Sequence, residues 1–214
     1  MKLLYARRGI EKLIVAQILI LLSKAGVLIS VVDAVRQGLP RMETEGVFGI
    51  VILLLMTAAI VMELRGVCEA GKGEPIFLAA RPAVILALIF DYYNSILNPF
   101  YGGWLVTVIA EMVAILFATR YLVDGVIALS IRTGNPKMCP RGKYLFILAG
   151  LVCFFQAVIA VLDAILPGFS VETPRLILSL SAASLIADGV AVLLLSLYLL
   201  QARNMLRGKD LENA

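Results

Sequence analysis

Six long apolar stretches, each about twenty residues or more save one slightly shorter, divide this chain. A hydrocarbon core of roughly 30 Å takes about 20 apolar residues of helix to cross. In lipid the backbone must satisfy its own polar groups, so a chain of this pattern folds as helices or not at all. The predicted spans are residues 10–32, 46–64, 82–98, 103–131, 144–166 and 175–201. They occupy most of the 214 residues, so the chain reads as one integral membrane domain over 1–214, all-α and polytopic. The composition agrees: 61% is hydrophobic and 16% is charged, against about 45–50% and about 25% in soluble domains.

Local signals place the boundaries. Pro82 suits the first turn of the third span,. Gly134-Asn135-Pro136 ends the fourth as a cap followed by a breaker,. Pro167-Gly168 closes the fifth, and Thr173-Pro174 opens the sixth,. The basic N-terminus followed by an apolar run has the outline of a signal peptide. Lys24 interrupts the run and no A-x-A site follows, so the expectation is an uncleaved first helix,.

Charge then orients the spans. Of nineteen Lys and Arg, fifteen fall on the side of the two termini and the 2–3 and 4–5 connections. Only Arg36, Arg41 and Arg175 fall on the other side, and Lys24 lies within a span. The positive-inside rule predicts a plasma-membrane protein with both termini in the cytoplasm. Phe100, Tyr101 and Trp104 then stand at the outer interface, where aromatic anchors are common. The net charge of +4 is explained by anionic headgroups, and nucleic acid is not an expected partner. The expected partner is the bilayer, with a membrane or cytoplasmic protein as a second candidate.

A weak repeat runs through the chain. Basic-Gly pairs recur at Arg8-Gly9, Lys72-Gly73, Arg141-Gly142 and Arg207-Gly208, and KGEPIFLAA (72–80) aligns with RGKYLFILA (141–149) without gaps. Three tandem helical hairpins would give this pattern. So would the plain frequency of basic residues and glycine at membrane borders.

Ionisable groups inside a span cost several kcal/mol unless paired or wetted. Lys24, Asp91, Glu111 and Asp188 are such groups, with Gln17, Tyr92, Asn94 and Ser184 as polar neighbours. Counting about 1.5 Å per residue from the predicted outer ends puts Lys24, Asp91 and Glu111 about 10–12 Å deep and Asp188 about 20 Å deep. Small residues every four positions, at Ser179, Ala183, Ala187 and Ala191 and at Ala110, Ala114 and Ala118, permit close helix approach. These faces predict that spans 1, 3, 4 and 6 surround a polar interior and that span 2 faces lipid. One lysine against three carboxylates points to a site for a proton, a cation or a cationic small solute. The plain alternative is a lysine–carboxylate pair plus neutral acids that only join helices. Arg120–Asp124 and Glu63/Arg65 read as structural.

The absences are equally useful. There is no histidine, no CxxC, no G-x-S-x-G and no P-loop, so zinc-protease, haem and nucleotide chemistry have no residues to rest on, and no metal or cofactor is expected. Cys68, Cys139 and Cys153 form no disulfide framework,. DGVIA at 124–128 lacks the acid and arginine that a CDP-alcohol phosphotransferase motif requires, because Tyr121 and Leu129 stand there. No catalytic group can be named, so an enzyme is not expected.

Two resemblances remain. The six-span layout looks like the substrate-binding components of energy-coupling-factor transporters, but the A-x-x-x-A docking pattern of their first helix is missing. The stretches RRGIEKLIVAQILILL (7–22), KGEPIFLAA (72–80), YLVDGVIALSIRTGNP (121–136) and LYLLQARNML (197–206) resemble small six-helix membrane proteins of Clostridia-like bacteria. That family carries no assigned activity and supplies no catalytic residues. The leading expectation is a transport-related membrane protein, and the alternative is a non-catalytic interaction or scaffold protein acting through its basic loops.

Overall fold

The computed structural model describes residues 2–37, 46–94, 104–165 and 173–212, with the side chains of Asp91, Tyr92, Trp104, Asp163, 173–175, Ile177, Leu178 and 209–212 outside that set. The described residues are helical, with no strand. In chain order the helices are α1 (Lys2–Gln37), α2 (Gly46–Gly71), α3 (Ala80–Tyr92, entered through a 3-10 helix at Pro75–Ala79), α4 (Trp104–Arg132), α5 (Met138–Ile165) and α6 (Thr173–Glu212). All but α3 are long and apolar enough to cross a membrane. This is a membrane-embedded helical protein.

Each helix touches its neighbours in the chain, and α6 returns to α1. The six therefore stand in a closed ring in chain order. Call the end with both termini the terminal end and the end with the 1–2, 3–4 and 5–6 connections the distal end. Outward faces are apolar: Leu54, Val106, Leu151 and Phe154 are all more than 60% exposed. Such a surface is at home against acyl chains, and would be a liability in water.

The core is concentrated at the terminal end. Ile10, Leu13, Val67, Phe77, Leu122, Val126, Leu129, Leu199 and Leu206 are buried in one cluster. The distal cluster is small, with Val31 and Ala34 of α1 meeting Ala182 and Leu185 of α6. Glycines make the tight end possible. A methyl on Gly9 would collide with the Ala70 backbone. One on Gly66 would lie 2.8 Å from Leu13 Cγ, and one on Gly125 2.8 Å from the Phe77 ring. Leu13 and Phe77 each follow a basic-Gly pair by four residues. The first two hairpins thus close in the same way. The third departs, because Gly142 instead meets Tyr198 and Val123.

Polar ties reinforce this end. Lys12 of α1 pairs with Glu69 of α2. Arg132, at the end of α4, pairs with the buried Glu74 at 3.1 Å and donates to the Gly73 carbonyl at 3.2 Å. Beyond it, Gly134 has φ 73°, Asn135 N donates to Ser130 O at 2.8 Å and Gly134 N to Ile131 O at 3.1 Å. That double closure is a Schellman cap, which needs the left-handed residue that glycine supplies.

Several boundaries differ from those read in the sequence. α1 begins at Lys2 and continues to Gln37, α5 begins at Met138, and α6 continues to Glu212. Membrane thickness limits an apolar stretch, not a helix, so amphiphilic turns carry these helices past the hydrocarbon. Pro140 does not delay α5, because it sits in the first turn, where its missing N–H leaves no gap,. Cys68 and Cys139 accordingly lie on helices rather than in loops. Phe100, Tyr101, Pro167 and Gly168 lie outside the described residues, as do the side chains of Trp104 and of the Thr173-Pro174 start.

Candidate functional site

The ring encloses a cavity of about 310 Å³, lined by residues of all six helices. Its walls are mostly aliphatic, with Ile20, Ile52, Val84, Ile115, Leu185 and Leu195 among them. Into this apolar space project Gln17, Lys24, Glu63, Glu111, Thr119, Gln156 and Asp188. Helices α2 and α5 therefore line the interior too, which corrects the expectation that the second span faces only lipid. The reason is the closed ring: every member has an inner face, however apolar, and Ile52, Met56, Ile60 and Glu63 form that of α2. An amphipathic signal is faint there because both faces are aliphatic and Glu63 alone marks the inner one.

Lys24 and Asp188 form an ion pair across the α1–α6 contact. This places Asp188 at the height of Lys24 rather than deeper. A depth counted from Val32, the predicted end of the first span, makes Lys24 too shallow, because the helix reaches Gln37. Measured from there Lys24 is as many residues from its helix end as Asp188 is from Arg175. Both side chains keep about a fifth of their surface open (22% and 17%).

Glu111 of α4 is held by a relay. Asn94 Nδ2 donates to Glu111 Oε2 at 2.6 Å, and Thr107 Oγ1 donates to Asn94 Oδ1 at 2.6 Å. The spacing Thr107–Glu111 puts both on one side of α4, and the end of α3 supplies the amide between them. A carboxylate accepting from an amide in this way is oriented by it.

Asp91 lies on α3, but its side chain and that of Tyr92 are outside the described set. Ser184 is buried at 4% exposure, yet it does not line the cavity. Gln17 does, and is 3% exposed. The residue that sequence reasoning set aside is Glu63. It appeared to be half of a border pair with Arg65, two residues on. Residues two apart on a helix point to different sides, which is the signal that separates them: Glu63 faces the cavity while Arg65 is exposed.

Among the described lining residues there are three carboxylates, Glu63, Glu111 and Asp188, and one cation, Lys24. No group of His, Cys, Asp and Glu among the described residues is arranged to hold a metal ion. Cys153 also lines the cavity and is a free thiol. Arg120–Asp124 is an i,i+4 pair at 2.7 Å with Arg120 also over the Phe146 ring at 5.0 Å. It belongs to the outer surface of the bundle. No known protein family, curated protein or solved structure matches this chain.

Proposed function

We propose that the chain crosses the plasma membrane six times, with both termini cytoplasmic, and that its central cavity binds a proton, a cation or a small cationic solute in a transport-related role. The carrying observation is the charge balance inside the ring, where three carboxylates line the cavity beside one lysine, Lys24 pairs with Asp188, and Glu63 has neither ion pair nor hydrogen bond among the described residues. Carboxylates in a low-dielectric space demand a compensating cation or a proton. The α3 helix, short in its described part, is the third crossing when its 3-10 entry is included. The ring in chain order suits three hairpins about one axis. Fifteen basic residues on the terminal side favour the cytoplasmic assignment,.

The test is charge movement in proteoliposomes holding the purified protein, recorded on adding protons or small organic cations. The expected result is a current that falls at least several-fold in E111Q and D91N. No current with the wild type, or an unchanged one in both variants, would overturn the reading. A second reading, an interaction protein docking through the terminal end, is favoured by the exposed Arg8, Lys72, Lys137, Arg141, Lys143 and Arg207. Crosslinking that captures a defined membrane partner, together with no cation response, would support it.

A further inference from the structure

The cavity has two polar tiers, and the lower one is unlike the upper. Along the α1–α2 contact, Leu13 sits against Gly66 and Gly26 against Ile52. That antiparallel register brings Gln17 within one turn of the height of Glu63. Lys24 is seven residues further along α1, two turns or about 10 Å nearer the distal end. The upper tier holds the Lys24–Asp188 pair and Glu111 within its Asn94 relay. The lower tier holds Glu63 and Gln17.

Nothing within the described residues satisfies this lower pair. Gln17 is 97% buried and turned into the cavity with no hydrogen-bond partner among the described residues. Glu63 likewise has neither ion pair nor hydrogen bond among them. A buried amide and a partly buried carboxylate left open in this way, facing an apolar cavity, are costly unless something else bonds them,. The walls between the tiers are aliphatic, and among the described residues no aromatic side chain lines the cavity. Quaternary ammonium sites rely on aromatic faces, so the wall chemistry argues against that class. A primary ammonium fits instead, because its three N–H donors match the Glu63 carboxylate and the Gln17 carbonyl oxygen. The volume lies at the small end of the roughly 300–1,000 Å³ typical of small-molecule sites,.

Resting on the cation-binding reading above, we infer that the cavity takes a small primary alkylammonium ion, with its nitrogen at Glu63 and Gln17 and its alkyl chain along the aliphatic walls toward the Lys24 tier.

The probe is n-hexylammonium, titrated calorimetrically into the purified full-length protein in detergent, with tetraethylammonium as comparison. The wild type should bind n-hexylammonium at least about tenfold more tightly than tetraethylammonium, since only the former carries N–H donors for the Glu63 and Gln17 oxygens. E63Q should weaken n-hexylammonium binding by at least about 30-fold, the cost of removing one partner of a buried charge pair. Q17L should weaken it several-fold, and E63D should retain binding, which guards against a folding defect in any one variant. Equal affinity of wild type and E63Q overturns the inference, as does tighter binding of tetraethylammonium. Loss of hexylammonium binding in E111Q with none in E63Q places the cation at the upper tier. That outcome sinks this inference while leaving the proposed function standing. Absence of binding by any cation, with no current in proteoliposomes, sinks both.

Discussion

Breaking the Lys24–Asp188 pair gives the sharpest test of how the ring is held at mid-height. The substitutions are Lys24→Met and Asp188→Leu, singly and together, each near in volume to the residue replaced. Two unit charges about 4 Å apart attract by about 4 kcal/mol at an effective dielectric constant near 20. Desolvation offsets much of that when both are removed together, so the double variant should lie within about 1 kcal/mol of wild type. Removing one partner strands the other charge, which costs about 3–5 kcal/mol at a fully buried site. Here each side chain keeps 22% or 17% of its surface and faces a cavity that can admit water, so about 2 kcal/mol for each single variant is expected. The coupling energy from the cycle is then about 3 kcal/mol. The assay is equilibrium unfolding in mixed detergent micelles, followed by helix content. Additive single effects, with coupling under about 0.5 kcal/mol, would refute the reasoning and mean that the two charges do not share one site.

Three further outcomes follow from the terminal end. Gly9→Ala drives a methyl into the Ala70 backbone and should cost about 1–3 kcal/mol, whereas Gly208→Ala, with nothing within 4 Å, should be neutral or stabilise by up to about 1 kcal/mol; thermal unfolding in detergent separates the two. Arg132→Ala leaves Glu74, whose side chain is 8% exposed, without its partner. It should lower stability by about 1–2 kcal/mol, less than a fully buried pair because Arg132 itself is half exposed,. Gly134→Val, at φ 73°, should cost about 1–2 kcal/mol while Gly134→Asn is tolerated, measured by the same unfolding curves.

Much of the architecture is legible because lipid imposes simple rules. Apolar length located the five long helices, and the Gly134-Asn135-Pro136 cap was readable from residue type alone. Helix ends outside the hydrocarbon were not readable, since nothing in an apolar count stops α1 at Ile10 when Lys2–Gly9 can also be helical. The same error displaced Asp188 in depth, because one misplaced end moves every height measured from it. Lys24, Glu111 and Asp188 stand out in sequence as charges among aliphatic residues, and the structure turns all three into one cavity. Glu63 was missed for the opposite reason: it lies eight residues from Gly71, close enough to the polar border for a bland explanation. Only the ring closure of α6 on α1, a contact between residues more than 160 apart in the chain, shows which helix faces point inward.

The central claim is an apolar ring facing lipid around a polar interior, and α2 offers its most direct test. Leu54 is 62% exposed on the outer face, and Met56, two residues on, lines the cavity. Spin labels at L54C and M56C, in a background lacking Cys68, Cys139 and Cys153 and reconstituted in bilayers, report collisions with oxygen and with a water-soluble nickel complex. The account predicts oxygen-dominated relaxation at position 54 and a clear rise in nickel accessibility at position 56. Equal oxygen-dominated relaxation at both positions, or the reverse order, would contradict it.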